Sequence, residues 1–407
     1  MNHIFEALGY TLSEKAETPQ NRHYKFLFIS NPDGSIRWLW PAHAKQALFL
    51  KFYNESNFRS RCFAALIRLV FKLKLQGLVF KKKCLFVRAG ENQTQHFNIH
   101  GQWALFTGTP GPNCKALVYE RGHEGGRFLK IALGTNAKAA LEKEQAMVQR
   151  LSHSNISSFD LPHLNFLSGK VFEVNDVSGQ GKRSTRISLL HLNTLIELNE
   201  LTGIKQSLNE NNNWERLKTS LSILNKSNDI RLPKGMIRKL SSMMNELNET
   251  EALEVCLSHG DFTPWNMFVK KDSIGLYDWE MADLFKPLGF DLFHFIIQQG
   301  ILVERKSWKD IYDDIQRVAN NTTFAALSKF GNRQRDHYLK LYLIINTAHY
   351  LEVYAQQANW HEQVYWLLAT WNEALSQFCS SYDTQRELVL IDSFDFLLNK
   401  PYAAVKF

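Results

Sequence analysis

His259-Gly260-Asp261-Phe262-Thr263-Pro264-Trp265-Asn266, with Asp278-Trp279-Glu280 arriving twelve residues after the asparagine, is the stretch that decides the reading of this chain. Between the two motifs, Met267–Val269 and Ile274–Tyr277 are short apolar runs around the polar Lys270-Lys271-Asp272-Ser273, the pattern of a hairpin. Such a hairpin carries Asn266 and Asp278 back to one spot. Phosphoryl transfer needs a carboxylate that orients a hydroxyl and takes its proton, together with hard oxygen ligands that hold magnesium against phosphate groups. Asp261 suits the first role, and Asn266 with Asp278 the second.

The same residues resemble the aminoglycoside phosphotransferase and choline kinase superfamily, with its HGD loop, an asparagine five residues after the aspartate, and a strand-borne Asp-Trp-Glu. His259, Gly260, Asp261, Asn266, Asp278, Trp279 and Glu280 all match. The resemblance implies a protein-kinase-like fold, ATP and Mg2+ as cofactors, Asp261 as catalytic base with His259 bracing the loop, and Asn266 and Asp278 as metal ligands. Pro287-Leu288-Gly289-Phe290-Asp291-Leu292 resembles the downstream family segment in which an aspartate opens a helix, so Asp291 is read as structural. Thr263 stands where protein kinases place a lysine, which points to a small-molecule hydroxyl as acceptor.

The resemblance also requires a lysine for the phosphates and a glutamate to hold it. Lys130 lies in the middle of the apolar strand Phe128-Leu129-Lys130-Ile131-Ala132, where a charge needs a reason. Glu144 supplies one, because it follows Leu141 by three residues and precedes Val148 by four on the apolar face of a helix spanning about 137–151. Gly108 and Gly111, in Gly108-Thr109-Pro110-Gly111-Pro112-Asn113, form the candidate loop over the nucleotide phosphates, since glycine lets backbone N–H groups approach anionic oxygens. Pro110 and Pro112 remove donors from it. The link between lobes is expected near Val171–Val174, with its backbone facing the adenine edge.

At 407 residues and 44% apolar content, the chain forms more than one packed unit and is not disordered. Its five cysteines include no CxxC pair, against a disulfide framework or a zinc site. The histidines show no paired-ligand spacing and are read as ordinary surface or core residues. No uncharged apolar run reaches the roughly 18 residues of a membrane span, and the start lacks a signal-peptide pattern, so a cytoplasmic location is expected.

The net charge of +8 is concentrated at one end. Phe58–Arg88 carries nine basic and no acidic residues, with apolar positions at helical spacing over about 58–75. This segment reads either as a solvated basic face or as a peripheral contact with anionic membrane or glycan; nucleic acid is not the expected partner.

The fold class expected is α+β and bilobal, with an antiparallel-sheet N-lobe, a mainly helical C-lobe and an additional small N-terminal α/β unit. The divisions are 1–95 for the basic accessory unit, 96–174 for the nucleotide-binding lobe and 175–407 for the helical lobe with the acceptor site. The function expected is an ATP- and Mg2+-dependent phosphotransferase acting on a small-molecule hydroxyl, with a sugar or glycan precursor of bacterial surface polysaccharide assembly as the acceptor. The alternatives are an aminoglycoside- or choline-type kinase, and a non-catalytic nucleotide-binding module that recruits an anionic partner.

Overall fold

The computed structural model describes residues 1–15, 22–53, 55, 58–90, 94–109, 111, 113–122, 125–320 and 332–379. A hairpin forms from β2 (Arg22–Ser30) and β3 (Ile36–Pro41), which follow the short strand β1 (Tyr10–Ser13). Its turn is closed by the Asn31 amide donating to the Ser35 carbonyl at 2.8 Å, with Gly34 in the left-handed region at φ 86°. Further along come β4 (Lys81–Ala89), β5 (Gln102–Phe106), β6 (Lys115–Arg121) and β7 (Gly126–Ala132). After these, β8 (Phe159–Asp160) joins a different sheet, whereas β9 (Leu164–Ser168) and β10 (Val171–Asn175) return to the first.

Nine strands thereby form one antiparallel sheet in the order β1-β4-β2-β3-β5-β6-β7-β10-β9. The expected division near residue 95 falls inside this sheet. The β3–β5 pairing of Trp38 with Phe106 and Leu39 with Leu105 joins the N-terminal strands to the expected nucleotide-binding lobe. Both faces are apolar. Phe26, Leu39, Leu85, Trp103, Leu105 and Leu129 lie against helix α1 (Asn2–Ala7) on one side. Leu27, Trp38, Trp40, Ala104 and Tyr119 lie on the other, under the turn at Leu48–Phe52 and helix α2 (Phe58–Lys72).

Helix α2 buries Ser60, Ala64, Ile67, Val70 and Phe71, one stripe at helical spacing, and turns its basic residues outward. A short α3 (Gln76–Val79) leads into β4. Helix α4 (Thr135–Leu151) follows β7 and buries Leu141, Glu144 and Val148 together, as their spacing requires.

The C-terminal lobe is mainly helical: α5 (Leu189–Thr202), α6 (Asn212–Lys226), α7 (Lys234–Asn245), α8 (Phe290–Gln299), α9 (Trp308–Ala319), α10 (Asn332–Ala355) and α11 (Glu362–Phe378). Two small sheets interrupt it. One is β11 (Ile204–Ser207), β12 (Ala252–Ser258) and β15 (Asp283–Pro287); the other is β13 (Met267–Val269) with β14 (Ile274–Leu276) and β8. No helix among the described residues is long and apolar enough to cross a membrane.

Candidate active site

Strand β12 ends at Ser258, and the chain turns into His259-Gly260-Asp261 under the control of Asp291 in the first turn of α8. The backbone N–H groups of His259 and Gly260 donate to the Asp291 carboxylate at 2.6 and 2.8 Å. Gly260 has φ 82°, and a Cβ there would stand 2.2 Å from the Met281 carbonyl oxygen, so any other residue would push the loop off β15's approach. His259 is fully buried and spans the loop: Nε2 donates to the Tyr277 carbonyl at 2.8 Å, which leaves Nδ1 to accept the Asp261 N–H at 3.3 Å. These two hydrogen bonds tie the loop to the end of the hairpin.

Asp261 is held at both oxygens. The Asn266 amide Nδ2 donates to Oδ2 at 2.7 Å and His294 Nε2 contacts Oδ1 at 3.0 Å. His294 is itself buried and contacts the Tyr342 hydroxyl through Nδ1 at 3.1 Å. The expected hairpin forms with Met267 opposite Leu276 and Val269 opposite Ile274, and the Tyr277 N–H donates to the Asn266 carbonyl at 2.9 Å. Asp278 therefore emerges one residue past the position opposite Asn266. It adopts φ 67°, in the left-handed region that aspartate tolerates better than most residues.

Lys130 reaches across from β7. Its Nζ donates to both Glu144 oxygens, at 2.7 and 2.8 Å, and to Asp278 Oδ1 at 2.7 Å. Lys115 of β6 adds a second ammonium, paired with Glu280 and 3.6 Å from Asp278 Oδ1. Burial acts against the charge of Lys130, but Asp278 and Glu144 outweigh it and raise its pKa. Burial likewise opposes ionisation of Asp278, and Lys115 and Lys130 reverse the sign and hold it well below the usual carboxylate range. Glu280 moves the other way, raised by burial and by the charge of Asp278.

The donor set fits a divalent cation. Glu144, Asp278 and Glu280 offer carboxylate oxygens within 4.8 Å of one another, so three carboxylates face two ammonium groups. Asn266 spends its amide N–H on Asp261 and Asp278 spends Oδ1 on Lys130, which leaves Asn266 Oδ1 and Asp278 Oδ2 as hard oxygen ligands.

Gly108 has φ 92°, and a Cβ there would lie 2.4 Å from the Lys115 carbonyl oxygen, so glycine is required by a close strand approach. A Cβ on Gly111 would lie 3.8 Å from the Gln357 side chain, which brings the loop tip toward the C-terminal lobe. Pro110 and Pro112 lie outside the described residues. Val171–Val174 sits inside β10, hydrogen-bonded to β7 and β9 on its two edges, so its backbone groups are committed to the sheet. The chain leaves the sheet only after Asn175.

A second polar cluster stands where it leaves. Asp176 accepts from Lys51 Nζ at 2.8 Å, Tyr119 OH at 3.1 Å, Tyr277 OH at 2.5 Å and the Ser178 N–H at 2.9 Å. Burial raises its pKa, but the hydrogen bonds from Lys51, Ser178 and Tyr277 outweigh that and bring it down to about 2. Lys51 also lies over the Tyr119 ring, and Phe52 packs on Phe106 and Phe128.

Lys143 of α4, Arg216 of α6, Lys286 of β15 and His349 of α10 lie near one another, with Asp283 and Glu280 among their acidic neighbours, and burial pushes the His349 imidazole down to about 4. Lys286 sits 3.9 Å over the Phe290 ring, and its pKa falls to about 8, from burial first. None of these four, nor Lys115 or His294, stands out in the sequence. Lys115 was within reach, because Ala132 opposite it lies two residues from Lys130 on the same strand face. His294 follows Asp291 by three residues on one helix, a spacing that also marks it.

The Asp261 loop, the carboxylates of Glu144, Asp278 and Glu280, and the ammonium of Lys130 thus meet between a sheet lobe and a helical lobe. Residues 203–330 match the model of the phosphotransferase enzyme family, over the segment that holds the loop, the hairpin and Asp291. None of the curated proteins matches the chain. Similar solved structures include an ethanolamine kinase from Plasmodium vivax, with 12% identity, 80% of this chain and 92% of that chain covered, and a TM-score of 0.46. A choline kinase from Streptococcus pneumoniae gives 10% identity, 65% and 90% coverage, and a TM-score of 0.45. A macrolide 2'-phosphotransferase from Brachybacterium faecium gives 13% identity, 66% and 89%, and a TM-score of 0.39.

Proposed function

We propose that this protein transfers the γ-phosphoryl group of ATP to a hydroxyl of a small molecule. The observation that carries the reading is the cross-lobe chain Glu144–Lys130–Asp278, with Asp261 and Asn266 joined to it by the β13–β14 hairpin. Asp261 takes the acceptor's proton as the oxygen–phosphorus bond forms and the bond to the β-phosphate oxygen breaks, with ADP leaving. Lys130 holds phosphate oxygens while Glu144 fixes its ammonium. Asn266 and Asp278 would hold a magnesium ion, which would neutralise charge on the phosphates. His259 and Asp291 keep the loop in shape, and Gly108 and Gly111 cover the phosphates.

The acceptor is a sugar or glycan precursor bearing an acidic group. The cations Lys143, Arg216 and Lys286, of which Lys286 lies close enough to Asp261 to feel its charge, support an anionic acceptor over a polycation such as an aminoglycoside. The test is acceptor-stimulated ADP release over a panel of neutral, acidic and amino sugars, choline and aminoglycosides. Turnover with acidic sugars, lost in Asp261→Asn, is the expected result; phosphorylation of choline but no sugar would overturn the acceptor, and no stimulation by any compound would overturn the activity.

A further inference from the structure

A cavity of about 750 Å³ lies between the Leu48–Phe52 turn and α2 on one side, and Gly181–Arg183 with Phe268 of β13 on the other. It is separate from the Lys130–Asp278 cluster, none of whose members line it. Its lining is one-sided in charge. Among the described residues Glu55 is its only carboxylate, and Arg68 already takes both oxygens of Glu55. Lys51 is turned away to Asp176. Lys45, Arg61, Lys72 and Lys182 also line the cavity, and among the described residues none of the four has an acidic partner. Arg183 completes the set from below, 4.9 Å over the Phe268 ring and donating to the Trp265 carbonyl at 2.7 Å.

Like charges gathered in a concave space repel one another and focus a positive potential, a cost that the Arg68–Glu55 and Lys51–Asp176 pairs offset only in part. The walls are also apolar, through Leu50, Phe71 and Phe268. A cavity of this size with a cationic rim and an apolar floor matches a drug-sized organic ligand with several negative charges. Phosphoryl groups suit lysine and arginine best, as point and forked donors.

We propose that this cavity is a second anion site, taking a small ring-bearing molecule that carries two or more phosphoryl groups. The site does not rest on the phosphotransfer reading. Arg183 links it to the Trp265 carbonyl, one residue before Asn266, so occupancy bears on the loop that holds Asp261.

Calorimetry on the full chain in EDTA, with inorganic tripolyphosphate, ADP and fructose 1,6-bisphosphate as probes, tests this. One-to-one binding of ADP or the sugar bisphosphate, tighter than tripolyphosphate, is expected; which of the two is tighter identifies the carrier of the phosphates. Arg61→Glu and Lys72→Glu, and separately Lys182→Gln on the opposite wall, are each expected to weaken it about tenfold or more. Lys82→Glu, exposed on β4 and outside the cavity, is expected to leave it unchanged. No saturable binding, binding indifferent to the wall variants, equal loss in Lys82→Glu, or binding confined to anionic lipid vesicles or RNA would each overturn the proposal.

Discussion

Two lysines of the sheet lobe each meet an aspartate at the junction with the helical lobe, and the two meetings differ in how completely they are satisfied. Around Asp176, both oxygens are taken: Lys51 and Tyr119 on Oδ2, Tyr277 and the Ser178 N–H on Oδ1. The side chain is 7% exposed. Around Asp278, Lys130 takes Oδ1, Oδ2 is left over, and 36% of the side chain faces the cleft. A saturated buried cluster fixes geometry; one with an open acceptor and excess carboxylate is ready to exchange partners with an incoming cation and phosphate. The two clusters share residue types but not purpose, and the accounting of lone pairs separates them.

Perturbing each in turn sharpens that contrast. The largest effect is expected from Asp261→Asn, which lowers kcat about a thousandfold while nucleotide still binds, read by ADP release and by nucleotide titration. Equal kcat would remove Asp261 as the base. Lys130→Ala leaves the fully buried Glu144 without its partner, so a loss on the order of 3 kcal/mol in unfolding free energy, with magnesium-dependent ATP binding abolished, is expected from denaturant titration and calorimetry.

Asp176→Asn tests the saturated cluster. It is expected to cost on the order of 2 kcal/mol of stability while kcat stays within about twofold. A collapse of kcat with unchanged stability would erase the distinction between the clusters. The pH dependence has a definite sign. The folded pKa of Asp176 is depressed from 3.8 to about 2, so its contribution is fully present above about pH 4 and is lost as pH falls through 4 toward 2. Wild type is expected to lose more stability than Asp176→Asn over that window, as followed by thermal melts.

His294→Gln is the smallest change: about a tenfold drop in kcat, with nucleotide affinity retained. An unaltered kcat would mean that His294 only packs beside Asp261.

What could be read from the chain follows the range over which the interactions act. The 259–280 segment is local: a loop, a hairpin and a register of a few residues bring Asp261, Asn266 and Asp278 together, and spacing alone displays that. Lys130 and Glu144 were legible for another reason, since a charge on an apolar strand or helix face demands a partner. Asp176 gave no such signal, because its donors come from residues 51, 119 and 277 and converge only in three dimensions. The sheet's continuity was hidden in the same way. β4 inserts between β1 and β2, a pairing that strand periodicity cannot disclose.

That strand order has a bearing on how such a gene can change. β1 finds its neighbour only after some seventy further residues have been made, with α2 and the basic cavity wall laid down in between. The seam between β3 and β5 runs through Trp38 and Leu39, with aromatic side chains on both surfaces. The basic segment is thus no cassette that recombination could lift out and set beside another enzyme. It is woven into the lobe it adorns, and the two are inherited together.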